Sequence, residues 1–246
     1  MNDLINKLNS IKPIIKDEVE TRFNEFKDLG ENGDKLDLFS ELSFCVMTAN
    51  WSSKGGIKAQ NYIGKESFAN LDEKKLNKKM KEVGHRFPNT RTKYIVANRW
   101  IIDELPEIIK KDPYESRKYI AKNVKGIGWK EASHFLRNVG VKDLAILDKH
   151  IMRIMQKNGM ILEIPKSGWS ENKYLDIEEK LRPLSLKFGE DMGKLDLYLW
   201  YLAKGTIDKW LDKKTKEMIT CQFIDINVKI VEKSSQLCIL WMKNQT

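Results

Sequence analysis

The chain has 246 residues, enough for one large domain or two small ones, and its 41% hydrophobic and 32% charged residues are the ordinary balance of a soluble globular protein. Its 44 Lys and Arg against 35 Asp and Glu leave a net charge of +9, which favours a polyanionic partner over a merely basic surface. No apolar run is long enough to span a bilayer, the opening MNDLINKLNS carries no signal-peptide pattern, and Cys45, Cys221 and Cys238 are too scattered for a disulfide framework or metal ligation; a reduced protein of the cytoplasm, off the membrane, is expected.

In chain order the spacing predicts helices nearly throughout, an all-α body. NDLINKLNSIKPIIKDEVETRFNEFKDLG has helical apolar spacing interrupted at Pro13, so a short helix followed by a longer one ending near Gly30 is expected. DKLDLFSELSFCVMTAN reads as a buried helix, broken by WSSKGG and resumed in IKAQNYIGK. LDEKKLNKKMKEVG is a polar helix ending at Gly84. HRFPNTRTKYIVANRWIIDEL begins with a turn at Pro88, and PYESRKYIAKNV has Pro113 in its first turn. A helix from about Lys130 to Arg137 follows, then one near Asp148, then SENKYLDIEEKLRPLSLKFG and MGKLDLYLWYLAKG. Residues 1–210 form this helical body. Residues 211–246, rich in β-branched and apolar residues, are a separate extension whose pattern fits two strands or a loosely held helix.

One stretch carries more than packing. In NVKGIGWKEASHFLRNVG, residues 123–140, Gly126 and Gly128 lie one residue apart between two helices. Glycines so placed let backbone N–H groups of a hairpin and of the next helix's first turn approach an anion that side chains would block. A phosphate held this way is bound without reading sequence, and Lys125 beside the glycines adds charge. An ordinary turn between packed helices would use glycine too. Lys130, just after the hairpin, reads alone as a solvated charge, and Asp148 alone as a helix cap.

Together, the hairpin, Lys130 and Asp148 in VKGIGWKEASHFLRNVGVKDLAILDKHIMRIM resemble the helix-hairpin-helix base-excision DNA glycosylases. LSFCVMTANWSSKGGIKAQ and LYLWYLAKGTIDK are similar to the archaeal-type 8-oxoguanine DNA glycosylase/AP lyase branch, and the likeness spans roughly residues 1–210. The resemblance implies two helical subdomains around a cleft, and a partner that is double-stranded DNA containing oxidised guanine. It implies Lys130 as the nucleophile at the sugar C1′ and Asp148 as the acid that stabilises cationic character there. It implies phosphate contacts at Lys125, Gly126 and Gly128, no required cofactor, and a structural monovalent cation on the hairpin carbonyls between Val124 and Gly128. Three scattered cysteines leave no set of four for the iron–sulfur cluster of the endonuclease-III-like branch.

Base extrusion calls for a wedge, and Phe87 beside Pro88 is the candidate, with a core anchor as its other reading. Arg86, Arg91 and Lys93 are candidate phosphate contacts; His85 and His150 read as structural or surface groups. Trp200 is a candidate platform for the extruded base, against a plain core role, and Lys209 a candidate donor to it. In the branch it resembles the chain stops near the lysine matching Lys209; here it continues, so an extension folded away from the pocket is expected. A monomer is expected. The rival readings are the same fold with another lesion specificity, and a non-catalytic helix-hairpin-helix module that binds DNA without cutting it.

Overall fold

A computed structural model describes residues 2–165 and 170–207. Among these, every regular element is helical. The long α1 (Asn2–Asn32) buries a stripe of Leu4, Ile5, Leu8, Ile11, Ile15, Val19, Phe23 and Phe26, at the spacing of one helix face. It runs unbroken through Pro13, where the sequence predicts an interruption. Pro13 and Asn9 both lie on the exposed face, so water can satisfy the carbonyl that loses its partner while the buried stripe holds the helix together. The helix also passes Gly30 by two residues. Gly30 has a packing duty instead: a Cβ there would lie 2.1 Å from the Val139 carbonyl oxygen.

α2 (Lys35–Thr48) is the buried helix expected, with ten consecutive buried residues from Leu38 to Met47. Its large apolar side chains are worth about 1.5–3 kcal/mol each on burial. α3 (Ser53–Ile63) begins earlier than the sequence predicts, because the Ser52 side chain caps Gly55 N–H and the two glycines fall inside the first turn. Both are needed there: a Cβ on Gly55 would strike the Trp51 ring at 2.6 Å, and one on Gly56 would strike Thr48 at 2.4 Å. α4 (Lys65–Asn70), α5 (Glu73–Glu82) and α6 (Pro88–Ala97) follow, then a single tight turn at Arg99–Ile101 and the short α7 (Leu105–Ile108). α8 (Pro113–Asn123) and α9 (Trp129–Asn138) flank the glycine hairpin; α10 (Lys149–Lys157), α11 (Glu171–Phe188) and α12 (Met192–Lys204) complete the described body.

Two hydrophobic cores divide these helices. One gathers α1, α10, α11 and α12, with Tyr174 and Tyr198 fully buried in it; the other gathers α2 through α9 around residues such as Phe39, Phe68 and Phe135. The hairpin helix α9 belongs to the second core, whereas the segment from Ala145 into α10 belongs to the first. Lys130 and Asp148 therefore stand on opposite sides of the division between two helical subdomains.

Candidate active site and nucleic-acid interface

The hairpin is fixed from behind. Buried Asn98 donates from Nδ2 to the Lys125 carbonyl at 2.9 Å and accepts the Lys125 N–H on Oδ1, also at 2.9 Å. The Lys125 amide is thus committed to the protein; its exposed side chain is not. Gly126 adopts φ +80°, where an L side chain is strained, and a Cβ there would meet the Tyr94 ring at 2.4 Å. Gly128 differs: its backbone is extended, and a Cβ would meet nothing among the described residues nearer than Glu131 Oε2 at 3.5 Å. The folded chain alone does not require glycine at 128. It stands exposed at the N-cap of α9 without a side-chain cap among the described residues, which leaves first-turn N–H groups free to meet an anion.

Lys130 is the second residue of α9, 30% exposed, with Nζ 2.9 Å from Glu131 Oε1. Asp148 is the N-cap of α10, its Oδ1 accepting N–H from His150 at 2.7 Å and Ile151 at 2.8 Å. The capping and acid readings of Asp148 are therefore compatible, because both capping bonds fall on Oδ1 and, among the described residues, none takes the second oxygen. Both Lys130 and Asp148 act electrostatically on the buried carboxyl of Asp196 in α12, which puts the three in one neighbourhood. Trp200, one turn after Asp196 and half-buried, meets His150 edge-on with ring centroids 5.6 Å apart. The candidate platform and the Asp148 cap are thus joined through His150. Lys209 lies outside the described residues, as do residues 211–246.

Phe87 is 37% exposed at the N-cap position of α6, and the exposed Arg86 guanidinium lies 4.9 Å from its ring. That exposure disfavours the core-anchor reading. The loop is held by buried His85, whose Nδ1 accepts the Phe87 N–H at 2.9 Å while Nε2 donates to the Met47 carbonyl at 3.1 Å. Burial keeps this imidazole below its usual titration range, in the neutral form that one donor and one acceptor require. Lys93 is exposed. Arg91 does not fit its expected role: it is buried and donates from Nη2 to the Ala49 carbonyl at 2.6 Å. It ties α6 to the end of α2, so it cannot reach a phosphate.

Sequence reading missed the buried polar groups beneath this site. Fully buried Arg117 forks onto both oxygens of Glu178 at 2.7 and 2.8 Å, and Glu178 also accepts the Ala145 N–H at 2.7 Å. The Tyr174 hydroxyl donates to the Ala145 carbonyl at 2.7 Å and accepts Leu147 N–H. These bonds fix the three residues that lead into Asp148. Arg117 and Tyr174 both reach Ser133, one turn after Lys130, so the two candidate catalytic residues share one buried support.

Asp196 was also missed. Burial pushes its carboxyl up to about 7, with Asp148 adding to the effect and Arg137, 3.5 Å away, and Lys130 opposing it. A raised carboxyl holds its proton longer in the folded state than in the unfolded one. Stability is therefore fully present below the unfolded value near 3.8 and is lost as pH rises toward about 7. Asp196→Asn, neutral in both states, removes this slope. Relative to the parent it is expected to gain about 3 kcal/mol between pH 5 and pH 8, as read from urea midpoints at the two pH values. An unchanged difference across that window would place the charge elsewhere.

A helix-hairpin-helix element with a lysine at the hairpin and an aspartate at the next helix cap defines a class of DNA-processing fold. The chain belongs to the 8-oxoguanine DNA glycosylase family, whose model matches residues 19–190. A Thermotoga petrophila protein named 8-oxoguanine DNA glycosylase/AP lyase is 56% identical over 209 residues, covering 85% of this chain and 100% of the relative. The Methanocaldococcus jannaschii protein of the same name is 43% identical over 209 residues, covering 84% and 99%. The crystal structure of the Thermotoga maritima 8-oxoguanine DNA glycosylase superposes with a TM-score of 0.83 at 56% identity, over 85% of this chain and 100% of the other. The M. jannaschii glycosylase/lyase in complex with 15mer DNA containing 8-oxoguanine gives a TM-score of 0.80 at 42% identity, over 84% and 99%.

Proposed function

We propose that this protein is a base-excision repair enzyme, an 8-oxoguanine DNA glycosylase and AP lyase that works through a lysine Schiff base. The observation that carries the reading is the gathering of Lys130, at the uncapped start of α9, and Asp148, at the cap of α10, around Asp196, in a chain of this family.

The residues divide the work as follows. The N–H groups at the start of α9 and the Lys125 side chain hold a backbone phosphate, with Lys93 and Arg86 adding charge nearby. Phe87 fills the gap left in the base stack, and Trp200 receives the extruded purine on its ring, a contact worth about 1–3 kcal/mol. Lys130 Nζ attacks C1′, the glycosidic bond breaks, and its electron pair leaves with the base. Asp148 supports the positive charge that develops on the sugar. The Nζ–C1′ adduct opens to a Schiff base, loss of a C2′ proton expels the 3′ phosphate, and the strand is nicked 3′ to the lesion. No cofactor enters these steps. A structural monovalent cation on the hairpin carbonyls fits the same reading: the Val124 and Lys125 carbonyl oxygens each accept one hydrogen bond, which leaves a lone pair on each. The enzyme acts as a monomer in the cytoplasm, on the nucleoid; no helix among the described residues is long and apolar enough to cross a membrane.

A panel of duplexes carrying 8-oxoguanine, an abasic site, an oxidised pyrimidine or undamaged guanine tests the proposal. Base release and 3′ nicking are expected with 8-oxoguanine, together with a borohydride-trapped protein–DNA adduct. Nicking of the abasic duplex without release of 8-oxoguanine would reassign the enzyme as a lyase. Binding without release or adduct on any duplex would reduce it to a DNA-binding module.

A further inference from the structure

This inference rests on the catalytic reading of Lys130. An amine attacks carbon only through its lone pair, so a lysine that arrives as an ammonium ion must first pass a proton to something. Among the described residues, one carboxylate is within hydrogen-bond distance of Lys130 Nζ: that of Glu131, at 2.9 Å. The Asp148 carboxylate instead accepts backbone N–H groups on Oδ1 and makes no ion pair with Lys130. Glu131 is the third residue of α9, 17% exposed on its side chain, with Oε2 beside the hairpin glycine Gly128. It thus stands between the phosphate-facing hairpin and the attacking amine.

The surrounding charges leave Glu131 to this pair. From its own helix it meets Lys130, and from α6 it acts on Arg91, whose guanidinium is turned to the Ala49 carbonyl. The charged groups of the other elements packed on α9 are engaged elsewhere: Arg117 of α8 with Glu178, Glu41 of α2 with Asn138 and Gln60, and Arg22 of α1 with Glu25. From α12, Asp196 faces Arg137 and Lys130.

We propose that Glu131 is the proton acceptor that turns Lys130 from a bound ammonium ion into the nucleophile. In the open site, water favours the ion pair. An extruded nucleotide that fills the site removes that water, and a contact ion pair in a dry site gives way more readily to its neutral form, amine and carboxylic acid. The proton passes from Nζ to Glu131 Oε1. The freed lone pair forms the Nζ–C1′ bond; the C1′–N9 bond breaks with its electrons on the base, which is neutralised by a proton from solvent. The activation exchanges one N–H bond for one O–H bond, the attack leaves Nζ as a secondary ammonium bonded to C1′, and the only further reactant is the solvent proton that the departing base takes up.

Glu131→Gln keeps the size and the helix position but removes the acceptor. In single-turnover base release from 8-oxoguanine duplex by the full chain, it is expected to be about 10²-fold slower than wild type at pH 7. Its rate should rise about tenfold per pH unit above that point, where the wild-type profile has already flattened, because its lysine must lose the proton to solvent. Borohydride trapping should slow in parallel, while affinity for the duplex is retained. Glu131→Asp, which keeps a carboxylate one methylene shorter, should recover part of the rate with the wild-type pH profile. It also serves as the test if the Gln variant fails to fold, since a rate equal to wild type in the shortened variant would argue against a proton passed at this contact. A Gln variant within threefold of wild type across the pH range overturns the inference. So does a slower variant with an unshifted pH profile, which would mark Glu131 as structural only. A wild-type protein that releases no base and traps no adduct overturns the functional reading itself, and this inference with it.

Discussion

Lys130→Gln is expected to bind an 8-oxoguanine duplex with near wild-type affinity and yet to release no base, nick no strand and give no borohydride adduct. The contrast follows from where the side chain sits. Lys130 is 30% exposed and its one ion pair among the described residues, to Glu131, joins neighbours in sequence, so it contributes little to the fold. Polar replacement at such a position usually changes stability by no more than about 0.5 kcal/mol. On the proposed reading DNA affinity rests on the hairpin amides and the basic surface, which the substitution leaves in place, apart from one charge among 44. The chemistry, by contrast, depends on this amine: among the described residues Lys130 is the lysine that acts on the buried Asp196 together with Asp148. A carboxamide cannot form a Schiff base, so the loss is one of mechanism rather than of degree. Measured as single-turnover excision beside a filter-binding or fluorescence titration, the result separates chemistry from binding. An adduct formed at normal yield by the Gln variant would move the nucleophile to another lysine.

Why Lys130 could be found in the sequence while its support could not is a matter of range. Gly126, Gly128 and Lys130 fall within five residues, and the demands of a hairpin and a helix start are local. Asp148 is legible for the same reason, since a cap stands directly before its helix. The burial of α2 is visible in its composition, since LFSELSFCVM carries a single charge, Glu41, among apolar and small residues. Pro13 misled because its effect depends on which face of α1 meets water, and that is set by α11 and α12 from the far end of the chain. Arg91 misled for a similar reason. A basic residue near a candidate wedge reads as a phosphate contact until the Ala49 carbonyl is found 42 residues away in sequence, waiting for a donor inside the fold. Arg117 and Glu178, 61 residues apart, carry no periodic or motif signal that pairs them. Each reads alone as one more surface charge on a polar helix. Asp196 sits in KLDLYLW, where a lone acid in an apolar helix could have been flagged as buried, but its neighbours Lys130 and Asp148 come from two other segments.

That hidden pair gives the largest expected loss of stability. Arg117→Met should lower stability by about 3–5 kcal/mol, because Glu178 would remain buried as a charge with the Ala145 N–H as its one remaining partner among the bonds that hold it. For a body of this size that is a fall in Tm of roughly 10 °C or more, measurable by calorimetry or by urea melts. Arg117 loses more than the carboxylate. Its guanidinium lies over the rings of Tyr114 and Tyr174, each 5.2 Å away, and bonds Ser133 beneath Lys130. The double variant Arg117→Met with Glu178→Leu should recover much of the stability, because it removes the orphaned charge as well as its partner, and buried ion pairs are often matched by apolar replacements of similar volume. Activity should not recover with it. Without Glu178 the Ala145 N–H has no carboxylate to hold it, and the segment that leads into Asp148 loses one of its fixed points. A double variant that is stable, binds duplex DNA and still excises slowly would show that this buried pair is kept for the placement of Asp148 rather than for the stability of the fold. A double variant as active as wild type would assign it to stability alone.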